Sequence, residues 1–336
     1  MCECRRLFAP LGLESAVMPS FPSLSVVVPN YNHSKYLPAA LSAILAQSVQ
    51  PVEIIVMDDA STDNSTEVIE HFAAENSVVR LVQNEKNIGV MPNVNKGVGL
   101  SRGDYVYIAP ADDEVVPGFF EKSLRLLARN PHAAFSCAMA EWRETFSTLV
   151  WQMGTRMPGE AAYLPPEQLV ELGRQGKLCL ISSTAVQRRD FLRAAGGFPP
   201  QLRWHADWFA CYVTGLRHGV CFIPEVLSVA NLLSGSFYQA GSKRPQHQEV
   251  LRNLLELLHS PPYADVLPRI RDSGGLSLFE WPILRQILAR REYRHLINVP
   301  LLRQAVRRQA ELRGKKLLPN WLARWLLNRF YRRHVA

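Results

Sequence analysis

Residues 25–65 read SVVVPNYNHSKYLPAALSAILAQSVQPVEIIVMDDASTDNS, and this stretch decides the fold. Residues 24–28 are a β-branched run closed by Pro29. Residues 53–57 are a second apolar run, closed by Asp58 and Asp59. Between them, residues 36–47 place Leu37, Leu41, Ile44 and Leu45 on one helical face. The alternation continues. Thr62 or Asp63 can cap a helix that turns Val68, Ile69 and Phe72 inward. Residues 78–82 read as a strand, 93–100 as a short helix stopped by Gly103, and 105–108 as a fourth strand. Residues 117–129 read as a helix with Pro117 in its first turn. Near-continuous apolar strands separated by helices imply an α/β fold with a mostly parallel, doubly covered sheet.

Beyond a strand at 132–140 the pattern loosens. Pro158, Pro165 and Pro166 interrupt residues 144–177, with a helix near 167–174. Residues 180–187 read as a strand, and 190–195 as a short helix stopped by Gly196-Gly197. A helix over 207–218 and a strand over 220–223 follow. From Gln246 the chain reads as helical, broken near Pro261-Pro262, Gly274-Gly275, Pro300 and Pro319. The expected division is an N-terminal extension over 1–22, an α/β domain over 23–242 and a basic helical region over 243–336.

The chain has 336 residues, 47% of them hydrophobic, enough for one large domain or two smaller ones. No stretch approaches the roughly 20 apolar residues of a membrane span. The opening MCECRRLFAPLGLESAVMPSFPS does not read as a signal peptide, because Pro10, Gly12 and Glu14 break a short apolar core. It reads as an extension, with Met18 as an alternative start. Cys2, Cys4, Cys137, Cys179, Cys211 and Cys221 show no C-x-x-C spacing. The last four sit in apolar contexts as free thiols, which fits a reducing cytoplasm. Net charge is +8. From Arg252 onward, 17 Lys/Arg stand against 6 Asp/Glu, or +11, so the remainder is −3. Such a tail meets an anionic partner or solvent; no nucleic-acid motif accompanies it.

Two aspartate pairs carry the chemical signal. Asp58-Asp59 and Asp112-Asp113 each follow a strand. Adjacent carboxylates repel, and burying them together needs a cation or donors. The carboxyl ends of parallel strands are where open α/β sheets bind ligands. The pairs therefore suggest a nucleotide–metal site.

The stretches 25–48, 53–65 and NIGVMPNVNKGVGLSRGDYVYIAPADDEVVPGF (87–119) resemble the family-2 glycosyltransferases of the GT-A fold. RRDFLRAAGGFPPQLRWHADW (188–208) resembles the family's base-bearing stretch. The likeness covers about residues 24–223. It implies a GT-A, mostly parallel mixed sheet flanked by helices, with a C-terminal helical extension. It implies an inverting, hexosyltransferase-type enzyme. Such an enzyme moves a sugar from a nucleotide sugar, UDP-linked by this reading, to a hydroxyl of a glycan or lipid-linked acceptor. Cell-surface polysaccharide or glycolipid synthesis is the implied setting.

By the same resemblance, Pro29 and Tyr31 line the nucleobase pocket, with Tyr31 stacking on the base. An ordinary turn with a packed tyrosine is the plainer reading. Asp59 matches the carboxylate that accepts the uracil N–H. Asp112 and Asp113 match the D-x-D region that holds Mg²⁺ or Mn²⁺ against the diphosphate. Pro110 stands where the pattern has its first Asp, so Asp112 and Asp113 divide the ribose and metal contacts between them. Asp207 matches the base that takes the acceptor proton, and helix capping is its alternative. The usual Glu before it is Ala206, for which His205 is a candidate substitute. Asn87, Gly89, Asn95 and Gly97 fit the nucleotide-covering loop and helix. Ser182-Ser183-Thr184 would lie near the donor sugar, and Ser234-Gly235-Ser236 would form a closing loop.

Arg303, Arg307 and Arg308 make residues 301–316 either a solvated face or a contact to anionic acceptor or lipid. Residues 317–334 set Trp321, Trp325 and Phe330 beside arginines, which suits a helix packed on its own domain or peripheral contact at the inner membrane face. The rival readings are a nucleotidyltransferase and a non-catalytic nucleotide-sugar or membrane-surface binder. A nucleotidyltransferase would favour a basic Gly-rich loop where this chain has Pro29-Asn30-Tyr31-Asn32.

Overall fold

The computed structural model describes residues 21–145, 150–233 and 244–317. Strands β1 (Leu24–Asn30), β2 (Glu53–Asp58), β3 (Val79–Gln83) and β4 (Tyr105–Ile108) lie parallel in the order β3-β2-β1-β4. Helices α1 (Leu37–Leu45), α2 (Ser65–Glu75) and α3 (Val90–Leu100) connect them. Strand alternation fixes which face each helix covers. Val26, Val28, Ile54 and Val56 join Leu37, Leu41 and Ile44 of α1 and Ile69 of α2. Val27, Ile55 and Met57 turn the other way and join Val94 and Val98 of α3. The run of buried residues with no polar side is what a doubly covered strand demands. Gly97 lets α3 touch the sheet: a Cβ there would come within 2.4 Å of Val27 Cγ1.

Past β4 the sheet becomes mixed. β5 (Glu114–Val115), α4 (Phe119–Arg129), β6 (Phe135–Glu144), β7 (Val150–Met153), β8 (Ala162–Leu164) and α5 (Pro166–Arg174) follow in order. Then come β9 (Val186–Arg188), α6 (Arg189–Ala194), α7 (Ala206–His218) and β10 (Val220–Leu232). The full order is β3-β2-β1-β4-β9-β6-β10-β5, with β7 on β6 and β8 on β10. β6 and β10 are parallel; β4–β9, β9–β6, β10–β5, β6–β7 and β10–β8 are antiparallel.

The strand expected over 180–187 is replaced by a 3-10 turn, Ser182–Thr184, ahead of the short β9. Thr184 Oγ1 accepts from the Ala138 amide at 3.0 Å, so side chain–backbone bonding competes with the ladder there. Cys137, Cys211 and Cys221 are buried free thiols as expected, while Cys179 is only partly buried.

The later helices are α8 (Arg244–Leu258), α9 (Leu267–Ser273), α10 (Glu280–Ala289) and α11 (Val299–Leu317). Leu251, Leu254, Leu255, Ile270, Ile283 and Ile287 from these helices share one apolar core with Phe209, Val213 and Leu216 of α7. Gln304 ties α11 down: its Nε2 donates to Gly173 O at 2.6 Å, and its Oε1 accepts from Ser277 Oγ at 2.8 Å. Cys2, Cys4, Met18, Ser234-Gly235-Ser236 and the tryptophans of 317–334 lie outside the described residues.

Candidate active site

β1 has β2 on one side and β4 on the other, so the strand order reverses at its carboxyl end. Such switch points form the ligand crevice of open α/β sheets. Three loops meet the crevice: Asn30–Asn32 after β1, Asp58-Asp59 at the end of β2, and Asp112-Asp113 after β4. The β1–β4 ladder ends at Val27–Ile108. Pro29, which has no N–H, therefore sits past its last rung. Tyr31 projects from this end with 44% of its surface exposed.

The first aspartate pair divides its labour. Asp58 is fully buried and knits the loops together. It accepts from Asn30 Nδ2 at 2.8 Å, Ser61 Oγ at 2.5 Å and Ser61 N at 3.1 Å. The N-cap of α2 is Asn64, with no side-chain cap bond, rather than the expected Thr62 or Asp63; Asp63 instead accepts from Ser65 N at 3.0 Å, ahead of the first turn. Asp59 accepts from Asn84 Nδ2 at 2.8 Å and from the amides of Ile88 and Gly89, each at 2.9 Å. An ionised carboxylate has about four acceptor sites, so most of its capacity pins the 84–89 loop against β2. Asn84 also accepts from Lys96 Nζ at 2.7 Å. Asn95 clamps Phe198 through both its main-chain N and O, and Gly97 meets the sheet. Both act on packing here.

The second pair is held from the far side of the sheet. Asp113 Oδ1 accepts from Asn231 N at 2.9 Å, and Asn231 Nδ2 donates to Asp112 O at 2.8 Å. Pro110 O closes the turn by accepting from Asp113 N at 3.2 Å. Burial, then Asp112, then Glu114 push the Asp113 carboxyl up to about 8. Burial likewise raises Asp112, opposed by nearby His33. His33 Nδ1 is buried with no hydrogen-bond partner among the described residues. Two crowded carboxylates with raised proton affinity offer hard oxygen donors to a divalent cation. They form a partial set of the kind that leaves places for phosphate oxygens and water. Among the described residues no cluster of three or more His, Cys, Asp or Glu forms a complete cage.

Asp207 lies in the first turn of α7. Its Oδ2 accepts from Ser182 Oγ at 2.6 Å and its Oδ1 from Trp208 N at 2.7 Å. Burial raises its proton affinity, and these two donors oppose that rise. Ala206, where a Glu would complete the pattern, is fully buried. His205 accepts from the Trp204 indole at 3.1 Å. Burial, then His247, lower it to about 3, so it is neutral at ordinary pH and suits packing more than proton transfer.

Asp207, Ser182 and Trp208 line a cavity of about 710 Å³; Tyr31, Asp59, Asp112 and Asp113 do not. The turn Ser182–Thr184 joins the two regions. Ser182 holds Asp207, and the next residue's carbonyl, Ser183 O, accepts from Tyr107 OH at 2.9 Å. Tyr107 is buried in β4 and within electrostatic reach of Asp113. Asn84, His33, Tyr107 and Asn231 escaped the sequence reading. Only Asn84, at the end of β3, carried a positional signal like that of the aspartates.

Residues 25–196 match the model of glycosyl transferase family 2, just over half of the chain, and the protein belongs to that family. Glycosyltransferase GlyG of Streptococcus pneumoniae serotype 4 is 40% identical over 98 residues, covering 29% of this chain and 33% of that protein. The matches to the first curated relatives span 33–39% of their length. The fold is GT-A. S. aureus TarS 1–349, solved with UDP-GlcNAc, superposes with a TM-score of 0.56 at 19% identity, covering 76% of this chain and 75% of that one. The mannosyltransferase PcManGT from Pyrobaculum calidifontis, solved with GDP-Man and Mn²⁺, superposes with a TM-score of 0.53 at 17% identity, covering 92% and 86%.

Proposed function

We propose that the protein is an inverting, hexosyltransferase-type enzyme that transfers a sugar from a UDP-sugar to a glycan or lipid-linked acceptor hydroxyl. One observation carries this reading. The three motif loops gather at the switch point, and the Ser182–Thr184 turn ties that crevice to Asp207. A nucleotide crevice linked to a buried, donor-held carboxylate fits single displacement, which needs a base within hydrogen-bond reach of the nucleophile.

In this reading the acceptor hydroxyl meets Asp207. Burial makes the carboxylate a stronger base, while Ser182 and the Trp208 amide keep it oriented. The hydroxyl proton passes to Asp207, and the oxygen bonds to C1 opposite the diphosphate. The C1–O bond breaks, the nucleoside diphosphate leaves with the electron pair, and the anomeric centre inverts. Pro29 and the exposed Tyr31 ring receive the base, Asp59 and Asp112 the nucleoside. Asp113 with Asp112 would hold Mg²⁺ or Mn²⁺, whose chemistry is to neutralise charge gathering on the leaving diphosphate. PcManGT, solved with GDP-Man and Mn²⁺, and TarS, solved with UDP-GlcNAc, support a nucleotide-sugar donor.

Cell-surface polysaccharide or glycolipid assembly at the cytoplasmic face of the inner membrane fits the basic C-terminal region. No helix among the described residues is long and apolar enough to cross a membrane.

The test is thermal-shift screening of UDP-, GDP-, dTDP- and CDP-sugars with and without Mn²⁺, followed by turnover of Asp207→Asn. Stabilisation by UDP-sugars that strengthens with Mn²⁺ is expected, with kcat lowered roughly 10²–10⁴-fold in the variant. Wild-type turnover by Asp207→Asn would refute the base assignment. Nucleotide-sugar binding with no turnover by the wild type favours the non-catalytic reading, which the losses at Pro110 and Ala206 motivate.

A further inference from the structure

The cavity that contains Asp207 is also lined by side chains of different chemistry. Its wall includes the cations Arg156, Lys177, Arg307 and Arg308, set against the carboxylates of Glu144 and Glu280 besides Asp207. They come from separate segments: Arg156 from the loop after β7, Lys177 from the loop after α5, and the last pair from α11. Gln304, Arg307 and Arg308 stand at i, i+3 and i+4, on one face of that helix. Gln304 is bonded to Gly173 and Ser277, so this face is fixed rather than free to swing. Arg307 Nη1 lies 3.7 Å from where a Cβ on Gly176 would stand, beside Lys177. Arg308 acts electrostatically on Cys179 and Tyr212, and Arg156 on Cys179. Arg156 and Arg308 thus both reach Cys179, and Arg308 also reaches Tyr212.

Aromatic surfaces line the same cavity. Trp208, next to Asp207, stacks on Tyr212 with centroids 4.5 Å apart and an interplanar angle of 25°. Asp207 and Tyr212 are five residues apart on α7, or about 7.5 Å along the helix. Trp142 and Trp151 form a second stack in the cavity wall, 6.0 Å apart at 29°. The Trp142 indole N–H is buried with no hydrogen-bond partner among the described residues. A buried donor without a partner costs about 1–3 kcal/mol, which a ligand oxygen would relieve. Amphipathic aromatic faces suit sugar rings, and guanidinium forks suit carboxylate and phosphate.

We propose that the acceptor is an anionic saccharide: its nucleophilic hydroxyl lies at Asp207, its rings lie along the tryptophans, and its carboxylate or phosphate is bound by Lys177 and Arg308 with Arg156 and Arg307. This rests on the reading of Asp207 as base. The rival occupant of the cations is the donor's own diphosphate.

Calorimetric titration of the full chain, with and without saturating UDP, separates these. The probes are a tetrasaccharide alternating glucuronate and N-acetylglucosamine, a trisaccharide ending in mannose 6-phosphate, and neutral cellotetraose. At least one anionic probe is expected to bind on the order of 10-fold tighter than cellotetraose, with affinity falling as salt rises. The tighter of the two assigns carboxylate or phosphate as the bound group. Lys177→Gln with Arg308→Gln should abolish the preference while UDP binding persists, and Arg308→Lys should retain most of it. Equal binding of cellotetraose, or loss of UDP binding in the double variant, overturns the proposal. Failure of the wild type to bind any nucleotide or nucleotide sugar, with the anionic preference intact, overturns the donor reading and leaves the saccharide site standing.

Discussion

Asp113 carries a carboxyl that burial, Asp112 and Glu114 push up to about 8, against about 3.9 in an unfolded chain. Between those values the folded state binds the extra proton. Stability from this group is full below about pH 4 and is lost as pH rises through about 8. Asp113→Asn should flatten that decline, read as melting temperature across pH 5 to 8.5 in metal-free buffer; an unchanged slope would place the titration elsewhere. A divalent cation held by the pair reverses the preference, so Mn²⁺ affinity should rise over the same window. One residue from the first pair, Ala60 adopts φ 59°, which a Cβ disfavours by about 1–2 kcal/mol. Ala60→Gly relieves that strain and loosens the unfolded chain by less. A net gain of about 0.5–1 kcal/mol in urea unfolding is expected. A loss would show that the Ala60 methyl packs more than it strains.

Among the elements, α11 is anchored by the core side chains Leu301 and Ala305 and by one polar side chain, Gln304. Gln304→Ala removes one of the donors to Gly173 O and leaves Ser277 Oγ without its acceptor, at about 1–3 kcal/mol. Chemical denaturation measures this directly, and a change below about 0.5 kcal/mol would mean that water replaces the amide. The first four strands and their helices were legible because each shows an uninterrupted apolar run or a helical stripe, as in residues 53–57 and 36–47. β5, β7 and β8 were not. They span two to four residues and gain their order from pairing with β6 and β10. The sequence around Ser182–Thr184 reads as strand because Leu180 and Ile181 look like one, whereas the turn's conformation comes from hydroxyl bonds to Ala138. The aspartates of the candidate site stand at strand ends and were visible in the sequence. Asn231 was not, since it meets Asp112 and Asp113 across about 118 residues, with no local pattern to mark it.

Over the whole molecule, the helix bearing Asp207 and the helices beyond residue 243 bury one another. Leu254 of α8 is fully buried in the core that includes Phe209 of α7. Leu254→Ala should cost about 2–5 kcal/mol. It should lower a single cooperative transition seen alike by fluorescence and circular dichroism. Two separated transitions would instead mark residues 244–317 as an independent unit.

The Ser182–Thr184 turn has one more consequence. Its successive residues grip a catalytic-side carboxylate, a central-strand phenol and the main chain of β6. In the proposed reading, the donor and acceptor regions are joined by one turn rather than divided between separable modules. A segment exchanged on either side of this clasp must therefore still supply a donor to the Ser183 carbonyl and an acceptor for the Ser182 hydroxyl.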